Sequence, residues 1–141
     1  MSVWRPHYRK DIELLEGVQR RALKLIDGFK DLSYEERLRA VHLTSLETRR
    51  MRGDLIEVYK IMHGLTNLSP EDFFSFSTSG LRGHGYKLFK PRVRTDIGKF
   101  SFSCRVVDLW NALPDEVVDA VSINSFKNQI DYLIKYGWGL K

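Results

Sequence analysis

Apolar residues recur three and four positions apart over most of this chain, and residues suited to capping bound the runs. In residues 11–28 they fall at Ile12, Leu15, Val18, Ala22, Leu25 and Ile26, the spacing of one helical face. Asp11 is placed to cap the start and Gly28 the end. Gly17 lies inside this helix at a cost of roughly 1 kcal/mol against alanine, which suggests a local bend or close packing. Ser33 with Glu36 forms a capping-box pattern for a short helix through about Val41. Thr44 with Glu47 forms another, for a longer helix ending at Gly64, with Leu46, Leu55, Val58, Tyr59 and Met62 as core contacts.

Beyond Gly64 the pattern changes. Ser69-Pro70-Glu71-Asp72 reads as a cap, a proline at the first helical position and acids near the positive end of the dipole. Phe73, Phe74 and Phe76 follow. Residues 77–85 hold three glycines and break the helical period. The next ten alternate, with Tyr86, Leu88 and Val93 opposing basic residues, and Pro91 confines any strand there to an edge. From about Ser101, Phe102, Val106, Leu109, Trp110 and Leu113 resume helical spacing until Pro114. A brief turn, Asp115 to Ala120, leads to a last helix capped by Ser122, with Phe126, Ile130, Leu133 and Ile134 inward. The prediction is a mainly α fold: a single compact multi-helix domain over residues 1–141, with one basic extended arm or short β-hairpin around residues 85–95. No internal repeat and no dividing linker is evident.

Composition changes this picture little. The 141 residues, 43% hydrophobic and 29% charged, suit a globular domain able to bury a core. No apolar run approaches the ~20 residues of a membrane span, so no membrane partner is expected. The N-terminus lacks a signal-peptide core, and the lone Cys104 excludes an internal disulfide framework.

Charge changes it more. The chain has 23 basic and 18 acidic residues, a net of +5. Six of those bases (Arg82, Lys87, Lys90, Arg92, Arg94 and Lys99) and one acid, Asp96, fall in residues 82–99, so the remainder holds 17 of each. The glycine-containing arm 77–99 thus carries the whole positive excess. Cations that pair with phosphates, beside Tyr86 or Phe89 as a stacking ring, form the usual chemistry of a nucleic-acid groove. A secondary basic patch is offered by Arg20, Arg21 and Lys24 on the first helix and Arg49, Arg50 and Arg52 on the long one. Acids nearby, including Glu16, Glu47 and Asp54, favour a salt-bridged, solvated face for that patch.

Other chemistry finds little support. His7, His42, His63 and His84 are widely separated and Cys104 has no neighbouring cysteine, so no metal and no cofactor is expected. Cys104 follows two phenylalanines in a helical pattern, which fits a buried structural thiol. The carboxylate pairs Glu35-Glu36, Glu71-Asp72 and Asp115-Glu116 all stand near helix starts, where acids stabilise the dipole. There is no dinucleotide fingerprint and no P-loop. No catalytic residue is assigned.

Five ordered blocks carry a resemblance: SVW-x-PH-x-x-KDIELLE-x-VQRRA, LSYEERL, LETRRMRGDLIEVYKIMHG, YKLFKPRVRTDIGKFSF and RVVDLWNALPDEVV. From Val3 to about Leu133 the chain resembles the region after the reverse-transcriptase core in non-LTR (LINE-type, Jockey-like) retrotransposon polyproteins. Parent proteins of that family join an endonuclease, a reverse transcriptase and this C-terminal region, and copy their RNA into DNA at a nicked chromosomal target. The polymerase Tyr-x-Asp-Asp is absent here, and with it the aspartate pair that would hold catalytic metals. The resemblance therefore implies a non-catalytic piece of a polymerase, acting inside the cell and in the nucleus, with RNA or DNA and the polymerase core of the parent protein as partners. It also makes Met1-Ser2 look like an artificial or secondary start. Gly17 and Gly98 stand where charged residues are expected in that family, and Val93 where cysteine is common. The expected function is a nucleic-acid-binding domain. The alternative is a structural or protein-interaction module docking on the polymerase or another protein.

Overall fold

The computed structural model describes residues 6–77 and 83–138. It is mainly helical, with one small two-stranded antiparallel sheet. Among the described residues no helix is long and apolar enough to cross a membrane. Two compact units divide the chain, one ending at Met51 and the other beginning at Arg52.

The N-terminal unit holds α1 (Arg9–Lys24), α2 (Tyr34–Ala40) and the start of α3 (Leu46–Met62). Helix α1 begins earlier than the capping pattern predicts: Tyr8 is its N-cap without a side-chain bond, and Asp11 lies in the first turn. Its last turn ends at Lys24, so Gly28, with φ +81°, serves the turn beyond rather than the cap. The face it buries is also rotated from the purely apolar stripe. Shielding runs through Ile12, Leu15, Gln19 and Leu23, while Val18, Ala22, Leu25 and Ile26 are exposed. Polar partners explain the rotation. Glu16 accepts the Leu46 backbone N–H at 2.9 Å and the Tyr34 hydroxyl, and Gln19 donates to Tyr34 Oη at 2.9 Å and to the Thr44 carbonyl at 3.2 Å. Burial, and then the bond to Glu16, push the Tyr34 phenol up. A face satisfied in this way tolerates burial that bare polar groups would not.

Local signals hold well around α2 and α3. The Ser33–Glu36 capping box is reciprocal, with Glu36 N–H to Ser33 Oγ at 3.2 Å and Ser33 N–H to Glu36 Oε2 at 2.7 Å. The Ser33 backbone N–H on the ionised carboxylate, and then the Ser33 side chain, hold Glu36 below its ordinary range. Arg37, buried in the last turn of α2, donates to the carbonyls of Phe29 and Lys30 at 2.7 and 3.0 Å, closing the turn after α1. The cap of α3 is Ser45, whose Oγ accepts from Thr48 N–H at 3.2 Å, and not Thr44. At its other end Gly64 has φ +66°, its N–H reaches Ile61 O at 3.4 Å, and Leu65 N–H reaches Lys60 O at 2.9 Å. This is a Schellman closure, which a left-handed glycine permits.

Close packing does not explain Gly17. Beyond α1's own backbone, a Cβ there would meet only Arg21 Nη1, at an ordinary 3.5 Å. Gly17→Ala is therefore expected to stabilise the N-terminal unit, by up to about 1 kcal/mol. A urea titration followed by circular dichroism measures it, and a loss of stability would refute it.

The C-terminal unit carries the rest of α3, a single 3-10 turn at Pro70–Asp72, β1 (Ser75–Phe76), β2 (Leu88–Phe89), α4 (Asp96–Lys99), α5 (Phe102–Arg105), α6 (Val107–Asn111), α7 (Asp115–Val118) and α8 (Ile123–Lys135). The helix expected from Ser101 to Leu113 is broken at Val106 into α5 and α6. Val106 at the break and Val107 just after it are both buried. Leu55, Val58, Tyr59 and Ile61 of α3, Trp110 of α6, Val118 of α7 and Phe126 and Ile130 of α8 form the core. Full burial of such side chains contributes roughly 1.5–3 kcal/mol each. Tyr59 stacks on Phe126 at 4.4 Å and donates its hydroxyl to the Ala120 carbonyl at 2.5 Å, and its burial pushes the phenol up. Ser122 caps α8 as predicted, accepting from Ser125 N–H at 3.1 Å.

Candidate nucleic-acid interface

Of the extended arm or short hairpin predicted around residues 85–95, only one strand, β2, falls there, and its partner β1 lies upstream at Ser75–Phe76. Strand β2 pairs antiparallel with β1, Ser75 opposite Phe89 and Phe76 opposite Leu88, and Ser77 N–H extends the ladder to Lys87 O at 2.9 Å. Alternation then acts as it should on a half-covered ribbon: Leu88 is buried and Phe89 is 58% exposed.

The arm is fastened to α6 by groups that no local sequence rule connects. Asn111 reads the other edge of β2, its Oδ1 accepting Leu88 N–H and its Nδ2 donating to Leu88 O, both at 2.8 Å. Trp110 Nε1 donates to the Tyr86 carbonyl at 2.9 Å. Buried His84 accepts Tyr86 N–H on Nδ1 at 3.2 Å, so its hydrogen sits on Nε2, which faces the Trp110 carbonyl at 2.9 Å. Each bond closes a separation of two dozen residues or so, save the local one between Tyr86 and His84. His84 is thus an anchor of the arm on α6.

This anchoring sorts the eight arm residues. Arg82 lies outside the described residues. Lys87 is half-buried and folds over Gly83, whose φ is +120°. A Cβ on that glycine would stand 2.3 Å from Lys87 Cε. Tyr86 is half-buried with its ring 5.7 Å from that of His63, which leaves Phe89 as the exposed ring. Lys90 is hydrogen-bonded to Asp108 at the start of α6, so the arm receives compensation from outside its own sequence. Arg92, Arg94 and Lys99 are exposed, and among the described residues no acid is paired with them. Lys99 also lies 5.5 Å from the Phe100 ring centroid.

The residues of the secondary patch are divided between the two units, Arg52 falling in the C-terminal one and the other five in the N-terminal one. Arg20 covers the Tyr34 ring at 4.8 Å, and Arg49 is bonded to Gln19. Arg21 and Lys24 are exposed and Arg50 is half-buried. Arg52 belongs to the C-terminal unit, where it forks onto Asp131, and that bond raises its pKa. Of the acids near in sequence, Glu16 serves Tyr34 and Leu46, and Asp54 is buried against Arg105 at 2.9 Å.

Cys104 is half-buried in α5. Among the described residues no group of three or more His, Cys, Asp or Glu converges to hold a metal ion. Comparison of the chain with protein-family models, with curated proteins and with solved structures returned no match.

Proposed function

We propose that this protein is a non-catalytic nucleic-acid-binding domain whose arm, from Phe89 to Lys99, contacts phosphates of RNA or DNA. One observation carries the reading. Arg92, Arg94 and Lys99 stand exposed and without an acidic partner among the described residues, on a segment whose root is pinned to the core through Trp110 and Asn111. The arginine fork suits phosphate oxygens. The resemblance to the post-polymerase region of LINE-type retrotransposon proteins supports the same reading, and with it a nuclear site of action.

Affinity for labelled single-stranded RNA or duplex DNA is expected to fall steeply with salt. With three cations engaged, log affinity against log salt should have a slope of roughly −2 to −3. Replacing Arg92, Arg94 and Lys99 together with Gln should flatten that slope by about 2 units or more while the helical circular dichroism is kept. Equal binding by the triple variant would remove the arm as the interface.

A second reading has its own observation. Leu14 and Val18 on one side of α1, and Leu25 at its C-cap, are all exposed, an apolar stripe that fits an interaction module docking on a polymerase core or another protein. Leu14→Ser with Val18→Ser separates the two readings, since it leaves the arm's salt slope alone and removes protein docking.

A further inference from the structure

Phosphate pairing accounts for the cations of the arm and leaves its aliphatic residues unexplained. Ile97 is 85% exposed and Val93 41% exposed, and they stand among Arg92, Arg94 and Lys99. Neither has a π face to lay on a splayed base, which is what single-strand platforms use. Apolar side chains flanked by cations do have a use on duplex DNA, where they enter between base steps from the minor groove and unstack them.

The turn that presents Ile97 is fixed. Thr95 caps α4, its Oγ1 accepting Gly98 N–H at 3.2 Å, and Ser101 Oγ donates to the Gly98 carbonyl at 2.7 Å. Val93 closes against the bare Cα of Gly98, where a Cβ would lie 3.3 Å from Val93 Cβ and Cγ1 and 3.1 Å from Thr95 Oγ1. Gly98 thus lets Val93 brace the turn from below. A side chain mounted this way needs little ordering on insertion. Arg94 and Lys99 on either side are placed to meet phosphates, against the single neighbouring acid, Asp96.

We infer that Ile97 is a wedge, braced by Val93 and Gly98, that inserts between base pairs of duplex DNA and unstacks one step while Arg92, Arg94 and Lys99 hold the flanking phosphates. The inference rests on the phosphate-binding reading above and narrows its target to deformable B-form duplex. A-form RNA offers a shallow minor groove instead. Steps that unstack easily, such as TA or CA, are preferred.

The test uses the full chain and a 2-aminopurine reporter beside a central TA step in a short duplex. Binding should brighten the reporter at least ~3-fold as its neighbour is unstacked. Ile97→Ala should remove most of that signal while the salt slope stays within about 0.5 of the parent's. Ile97→Met, another apolar wedge, should keep the signal. Because Ile97 is so exposed, these variants are expected to fold as the parent does. Salt-sensitive duplex binding without brightening, or brightening unchanged in Ile97→Ala, overturns the wedge and leaves the phosphate-binding reading standing. Absence of binding to both RNA and DNA overturns both. Ile97-dependent partition onto vesicles of equal phosphatidylcholine and phosphatidylserine, with no duplex signal, overturns the wedge in favour of a lipid surface.

Discussion

Asp54→Ala is expected to destabilise the C-terminal unit by about 3–5 kcal/mol, because it leaves a buried guanidinium without its counter-charge. Arg105 Nε and Nη2 each meet one Asp54 oxygen at 2.9 Å, and Nη1 reaches the Phe100 carbonyl at 3.3 Å. The two side chains are only 8% and 2% exposed. The bond couples α5 to α3 and holds the carbonyl that follows α4, so the loss should reach the base of the arm. Replacing both partners, Asp54→Leu with Arg105→Met, should recover most of the stability, since the apolar pair carries no desolvation cost. Urea denaturation of the three variants measures this. A cost below about 1 kcal/mol for Asp54→Ala would mean that water reaches the pair, as it does at a surface ion pair.

Trp110→Ala should cost a similar amount, about 3–5 kcal/mol, for an entirely buried ring. Here the consequence for the arm is direct. The ring packs 6.2 Å from Phe126 and 5.8 Å from His84, and its Nε1 holds the Tyr86 carbonyl. Asn111→Ala isolates the anchoring from the core: it strips β2 of both Asn111 bonds and should cost about 1–3 kcal/mol. Amide exchange at Leu88 should accelerate in both variants. In Asn111→Ala it should do so while α8 amides stay protected. Uniform loss of protection in Asn111→Ala would show that the arm and the helical core open as one unit.

Sequence and structure agree where the deciding contacts are local. Ser33 with Glu36, Gly64 after α3, and Ser122 before α8 each satisfy backbone groups within six residues, and each could be read directly. The exposure of Arg92, Arg94 and Lys99 was also legible, because charged side chains with a single acid nearby in sequence stay in water. Less legible was the face of α1. Its apolar residues marked one stripe, yet the shielded side includes Glu16 and Gln19, which find Tyr34, Leu46 and Thr44 as partners.

The amino-acid sequence by itself determined that the chain is mainly helical, where helices such as α2 and α3 stop, and that its positive excess is gathered in one arm. Periodicity, capping and composition act over a few residues and do not wait for the fold. Only the tertiary structure decided which charges are spent internally. Asp54 meets Arg105 across 51 positions, Lys90 meets Asp108 across 18, and His84 reaches Trp110 across 26. Coulomb attraction and hydrogen bonding depend on distance in space, and that distance is set by how the apolar faces of α3, α6 and α8 pack around Trp110 and Phe126.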